Sequence, residues 1–88
     1  MATETHEHRI KRMKMRSMRR GIKEMDIVLS AYAEDQLAGM SVAELDLYDA
    51  LLEENDQDLL TWITGQIAPP ESLASLIHAI SAHAMRAK

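Results

Sequence analysis

The sequence has no cysteine and no phenylalanine, and its three aromatic residues are one tryptophan and two tyrosines. Without cysteine there are no disulfides, thiolate metal centres or thiol nucleophiles. With so few rings among 88 residues, the core must be filled by Leu, Ile, Ala and Met, which favour helix over a β-sandwich. The three glycines, Gly21, Gly39 and Gly65, stand alone, which leaves no Gly-rich phosphate loop and no dinucleotide fingerprint. No apolar run approaches the roughly 18 residues of a membrane span, and the N-terminus lacks the apolar stretch of a secretion signal. Residues 9–20 are basic, as in a mitochondrial transit peptide, but Glu4 and Glu7 are acids that such peptides avoid. The expectation is a bacterial-type cytoplasmic protein of one domain, with a core that buries about 60–65% of the unfolded surface.

Charge is sorted along the chain. Arg9, Lys11, Arg12, Lys14, Arg16, Arg19, Arg20 and Lys23 form a block without an acid, whereas Glu24 to Met85 holds twelve acids and neither Lys nor Arg. Two readings are open and compatible: the halves attract each other on folding, or one face meets a partner electrostatically. Nucleic acid fits poorly, because the basic block has no interleaved aromatics for base stacking and the remainder repels a polyanion. A membrane surface fits no better, since the same segment lacks Trp, Phe or Leu anchors.

The pattern predicts an all-α protein, a compact five-helix bundle. Residues 1–8 read as a flexible N-terminus, 9–85 as the helical domain and 86–88 as a tail. The first helix is expected from Thr5 or Arg9 to Arg19, with Ile10, Met13, Met15 and Met18 on its apolar side and Gly21 placed as a helix-ending residue would be. A single helix running on through Gly21 is the alternative. The second, Ile22 to Leu37, repeats apolar residues at Ile22, Met25, Leu29, Tyr32 or Ala33, and Leu37, with Glu24 and Asp26 suiting its N-terminal dipole. Ser41 and Glu44 have the spacing of a capping box for a third helix, Val42 to Glu53, with Val42, Leu45, Tyr48, Leu51 and Leu52 inward. Asn55 or Asp56 caps a fourth, from Gln57 to Thr64. Pro69 and Pro70 precede a fifth, striped by Leu73, Leu76, Ile77, Ile80 and Ala84. The predicted core is Met25, Leu29, Leu45, Leu52, Leu59, Trp62, Ile63, Leu76, Ile77 and Ile80.

Catalytic equipment is thin. His6 and His8 lie in the terminus, and His78 and His83 are five apart, which does not align them on one helical face. Acids this abundant are usually solvated surface, so no carboxylate pair takes acid and base roles by spacing. One junction stands out, Arg20-Gly21-Ile22-Lys23-Glu24, where a corner between two helices would present a guanidinium and a carboxylate. An internal Arg20–Glu24 ion pair beside an ordinary helix-ending glycine is the equal alternative.

That junction carries the Arg-Gly-x-x-Glu signature of succinate dehydrogenase assembly factors of the SdhE type. Downstream, Tyr48 with Leu51-Leu52-Glu53, then Asp56-Gln57-Asp58-Leu59 leading to Trp62, is similar to the same family's second segment. The resemblance covers about residues 9–80, and the tail after Ile80 lies outside it. It implies a five-helix factor, monomeric when free, that binds the flavoprotein subunit of succinate dehydrogenase, and in some bacteria that of fumarate reductase. Such a factor promotes covalent attachment of FAD to that subunit without a catalytic site or a stably bound cofactor or metal of its own. Carried onto this sequence, the expected partner-binding residues are Arg20, Gly21 and Glu24, with Arg19, Lys23, Asp56 and Asp58 beside them. An antitoxin-like or other helical interaction module is the competing reading.

Overall fold

The computed structural model describes residues 5–18 and 20–86. Its elements are α1 (His6–Ser17), α2 (Lys23–Gln36), a 3-10 turn (Leu37–Gly39), α3 (Val42–Leu52), α4 (Asp56–Ile63) and α5 (Glu71–Arg86), with no strand among the described residues. This is the expected five-helix order, and the chain breaks between α1 and α2. Of the two expected starts for α1 it is Thr5 that holds: Thr5 caps the helix, its Oγ1 accepting the His8 N–H at 3.1 Å. Arg19 and the first four and last two residues lie outside the described residues.

Local chemistry explains the ends. The Ser41 hydroxyl accepts the Glu44 N–H at 3.2 Å, and the Glu44 carboxylate accepts the Ser41 N–H at 2.9 Å, closing the capping box. Those bonds from Ser41 hold the exposed Glu44 carboxyl below its ordinary pKa. Asn55 caps α4 by accepting the Gln57 N–H at 2.8 Å. At the other end of α4, Gly65 takes φ 82°, while its N–H reaches the Trp62 carbonyl and the Gln66 N–H reaches that of Thr61. This is the paired-bond Schellman ending. Gly21, expected to play that part for α1, does not: α1 stops at Ser17, and Met18 leaves in extended conformation.

α2 packs against α1, α4 and α5, so it forms the spine of the bundle, with α3 closing onto α5. The core contains Met13, Met25, Leu29, Leu37, Leu45, Tyr48, Leu51, Leu52, Leu59, Ile77 and Ile80, all fully or nearly fully buried. Trp62 and Ile63, expected inside, are half-buried against it. The short α4 buries Leu59 completely and leans its next turn on the core edge. Val42 is 62% exposed, because the inward stripe of α3 starts one turn later at Leu45. Met15 is 59% exposed: two residues from Met13 is about 200° of helix rotation, so both cannot face inward. Met18 is also exposed, beyond the end of α1.

Candidate functional site

The sorted charge is spent largely within the fold. Arg9 meets Asp46 at 2.5 Å, Arg16 meets Asp49 at 3.0 Å and also Glu53, and Arg12 reaches Asp49 at 3.4 Å. One row of basic side chains on α1 thus faces one row of acids on α3. Lys14 adds a looser pair with Glu34 of α2 at 3.7 Å. Of the two readings of the charge pattern, mutual attraction of the halves describes these pairs.

The end of α1 is fastened by a buried polar pair. The Ser17 hydroxyl donates to the Met13 carbonyl at 2.8 Å and lies 2.6 Å from the Tyr48 hydroxyl, which then donates to it. Ser30 of α2 donates to the Ser17 carbonyl at 3.3 Å. Burial pushes the Tyr48 phenol up to about 12. Burial, with Glu44 adding, raises Tyr32 as well.

Immediately after comes the Arg20–Glu24 corner. Arg20 turns inward, its side chain 11% exposed. Nε and Nη2 donate to Asp56 Oδ1 at 2.7 and 2.6 Å, and the Nη groups also reach the carbonyls of Leu52 at 3.1 Å and Glu54 at 3.3 Å. The partner of Arg20 is therefore Asp56, 36 residues away, and not Glu24, the internal pairing considered from the sequence. Asp56, at the start of α4 and 17% exposed, uses its second oxygen to accept the Gly21 N–H at 2.5 Å. Two of the residues expected to touch a partner, Arg20 and Asp56, are thus in large part occupied by one another. Gly21, Lys23, Glu24 and Asp58 are exposed, and the last three form no ion pair among the described residues. Arg19 lies outside the described residues.

Beside the corner runs an open, mainly apolar groove of about 450 Å³ between α2, α4 and α5, lined by Glu24, Met25, Val28, Leu60, Ile63 and Met85 among others. A second indentation of about 410 Å³ adjoins it through Ile63 and Ser81, and Trp62, Ile67 and Pro69 contribute to its wall. Sequence reasoning singled out neither, since each assembles residues from distant segments.

The histidines do not converge. His83 is buried, its Nε2 2.7 Å from Asp35 Oδ2 and its ring edge-on to Tyr32, so it joins α5 to α2. His78 is exposed on α5, and His6 and His8 are exposed on α1. Among the described residues no three His, Asp or Glu side chains come together as a metal site. No described helix is long and apolar enough to cross a membrane.

Residues 11–84 match the family model described as flavinator of succinate dehydrogenase, which takes in the part of α5 after Ile80 that the motif resemblance left aside. The chain is 42% identical over 72 residues to succinate dehydrogenase assembly factor 2, mitochondrial, of Schizosaccharomyces pombe, covering 82% of this chain and 52% of that protein. The proteins of the same name from Schizosaccharomyces japonicus and Debaryomyces hansenii are 43% identical over 60 residues and 47% over 53, covering 68% and 60% of this chain and 42% and 37% of theirs. The chain thus spans about half or less of the length of these curated relatives. All three are mitochondrial proteins of eukaryotes, which counts against the bacterial-type reading of the composition. With the family model matched from residue 11 to residue 84, on a five-helix fold whose first turn corner holds Arg20, Gly21 and Glu24, the chain belongs to the succinate dehydrogenase flavinator family.

Proposed function

We propose that this protein binds the flavoprotein subunit of succinate dehydrogenase and promotes covalent attachment of FAD to it. Membership of the flavinator family is the observation that carries this reading. The geometry adds to it: a corner anchored from within offers Lys23 and Glu24 to the outside, next to an apolar groove. Such a surface suits a folded protein partner, with the charged residues setting register and the groove providing desolvated contact.

In this reading the factor has no catalytic site and carries neither a stable flavin nor a metal. The chemistry of the bond belongs to the client and its FAD, while the factor stabilises the client conformation in which the bond forms. Free, it is a monomer, and it acts in the compartment where the flavoprotein folds. Lys23, Glu24 and Asp58 make the contact, and Gly21 lies in the corner that presents them.

The test is complementation of a cell lacking the gene, scored by acid-resistant flavin fluorescence on the flavoprotein subunit. The wild-type chain restores it. Glu24→Ala, on an exposed first turn, keeps helicity and melting temperature but loses most of the signal. Full restoration by Glu24→Ala together with Lys23→Ala would remove the corner from the contact, and no restoration by the wild-type chain would remove the function. Affinity capture separates flavoprotein clients, including fumarate reductase, from the small toxin that an antitoxin would retain.

A further inference from the structure

The described residues between α1 and α2, Met18 and residues 20–22, have no regular structure, yet this corner must hold Lys23 and Glu24 in one direction. We propose that Asp56 is the positioning residue of this corner: its carboxylate, held by Arg20, fixes the Gly21 amide and thereby sets how Lys23 and Glu24 are presented. The inference deepens the reading of the corner as partner-facing and rests on it.

The two oxygens of Asp56 divide the work. Oδ1 takes both Arg20 bonds at 2.7 and 2.6 Å, and Oδ2 takes the Gly21 N–H at 2.5 Å. Asp56 is well seated for this. It is the first residue of α4, behind the Asn55 cap, where side chains lean back toward the helix N-terminus and the dipole favours a carboxylate. Charge-assisted bonds of this kind are among the stronger ones in proteins.

The same geometry explains the glycine. Gly21 is outside the left-handed region, so its backbone does not demand glycine. What bears on it is proximity: a Cβ at position 21 would lie 3.1 Å from Asp56 Oδ2, tighter than the ordinary 3.4–4 Å, so the carboxylate would have to give by a few tenths of an ångström. The carboxylate, tied to Arg20, has little freedom to withdraw. Arg20 and Gly21 of the motif are therefore read from inside the protein, by Asp56, and Glu24 is left to be read from outside.

A double-mutant cycle with two readouts tests this. In the free protein, Gly21 amide hydrogen exchange should be about tenfold faster in Asp56→Ala and close to wild type in Asp56→Asn, whose carbonyl oxygen still accepts the N–H. For client capture, Gly21→Ala and Asp56→Ala should each weaken binding by about tenfold, and the double variant should be no worse than Asp56→Ala, because the clash has gone. Circular dichroism confirms that each variant is folded, and Asp56→Asn supplies the comparison if Asp56→Ala is not. Unchanged Gly21 exchange in Asp56→Ala overturns the proposal, as does a double variant whose loss is the product of the two single losses. Faster exchange with capture at wild-type level in every variant upholds the clamp and overturns the partner-facing reading of the corner.

Discussion

Replacing Arg20 by Lys keeps the charge and removes the planar fork, which separates an internal staple from a partner contact. The guanidinium now spans three structural units. It holds Asp56 at the start of α4, the Leu52 and Glu54 carbonyls at and beyond the end of α3, and, at 3.4 Å, the Arg16 carbonyl in the last turn of α1. Those carbonyls lack onward helical partners, so the side chain satisfies ends that would otherwise need water. A lysine ammonium can still reach one acceptor but cannot fan across four. Hydrogen bonds to a charged group contribute about 1.5–3 kcal/mol and are not additive, so Arg20→Lys should cost about 1–2 kcal/mol. Arg20→Ala leaves Asp56 without its cation. For a fully buried pair that costs about 3–5 kcal/mol, and the remaining exposure here brings the expectation to about 2–3 kcal/mol. Each kcal/mol lowers the melting temperature of a domain this size by roughly 4–8 °C, well within the range of urea and thermal denaturation. If both variants unfold within about 0.5 kcal/mol of wild type and lose only client capture, Arg20 is a partner contact and the staple is wrong.

Three further outcomes are expected. Leu52→Ala and Ile77→Ala, both in the core, should each cost about 2–5 kcal/mol by chemical denaturation, while Val42→Ala on the exposed start of α3 should cost little. The Tyr48 phenol sits at about 12 in the folded state, against 10.0 ordinarily. Between these values the unfolded chain has released a proton that the folded chain retains, so stability is full below pH 10 and falls by roughly 2–3 kcal/mol toward pH 12. Tyr48→Phe should make the alkaline decline shallower, leaving the part due to Tyr32. Gly65→Ala should lose about 1–2 kcal/mol in thermal melts because position 65 is left-handed, whereas Gly39→Ala, with open space around it and an ordinary backbone, should not.

What could be read from the sequence was what depends on near neighbours. The Ser41–Glu44 box and the Asn55 cap are three- and two-residue chemistry, and they appear as expected. The stripes of α2 and α5 follow the helical period closely enough to place Met25, Leu29, Ile77 and Ile80 inside. Met15 is apolar but stands about 200° from Met13 around α1, so the helical period alone already puts it on the outer face. Gly21 and Gly65 illustrate the real limit. Each follows a helix, and nothing nearby says that only Gly65 is left-handed. The one residue that accounts for Gly21 and takes Arg20 away from Glu24 is Asp56, 35 residues from the first and 36 from the second. The motif marked the corner, but which of its residues face inward is a tertiary fact.

The pairing of α1 with α3 bears on motion. α1 has Met13 as its fully buried apolar side chain and Ile10 half-buried, so much of its hold on α3 is ionic, through Asp46, Asp49 and Glu53. Ionic contacts at a surface weaken as salt screens them, while apolar burial does not. The N-terminal turns of α1 should therefore open more often than the rest of the bundle, exchanging their amides sooner as ionic strength rises. That opening need not reach the corner. Ser17 with Tyr48, and Gly21 with Asp56, fasten the chain on either side of the break, so the N-terminal turns of α1 can peel away while Lys23 and Glu24 keep their direction.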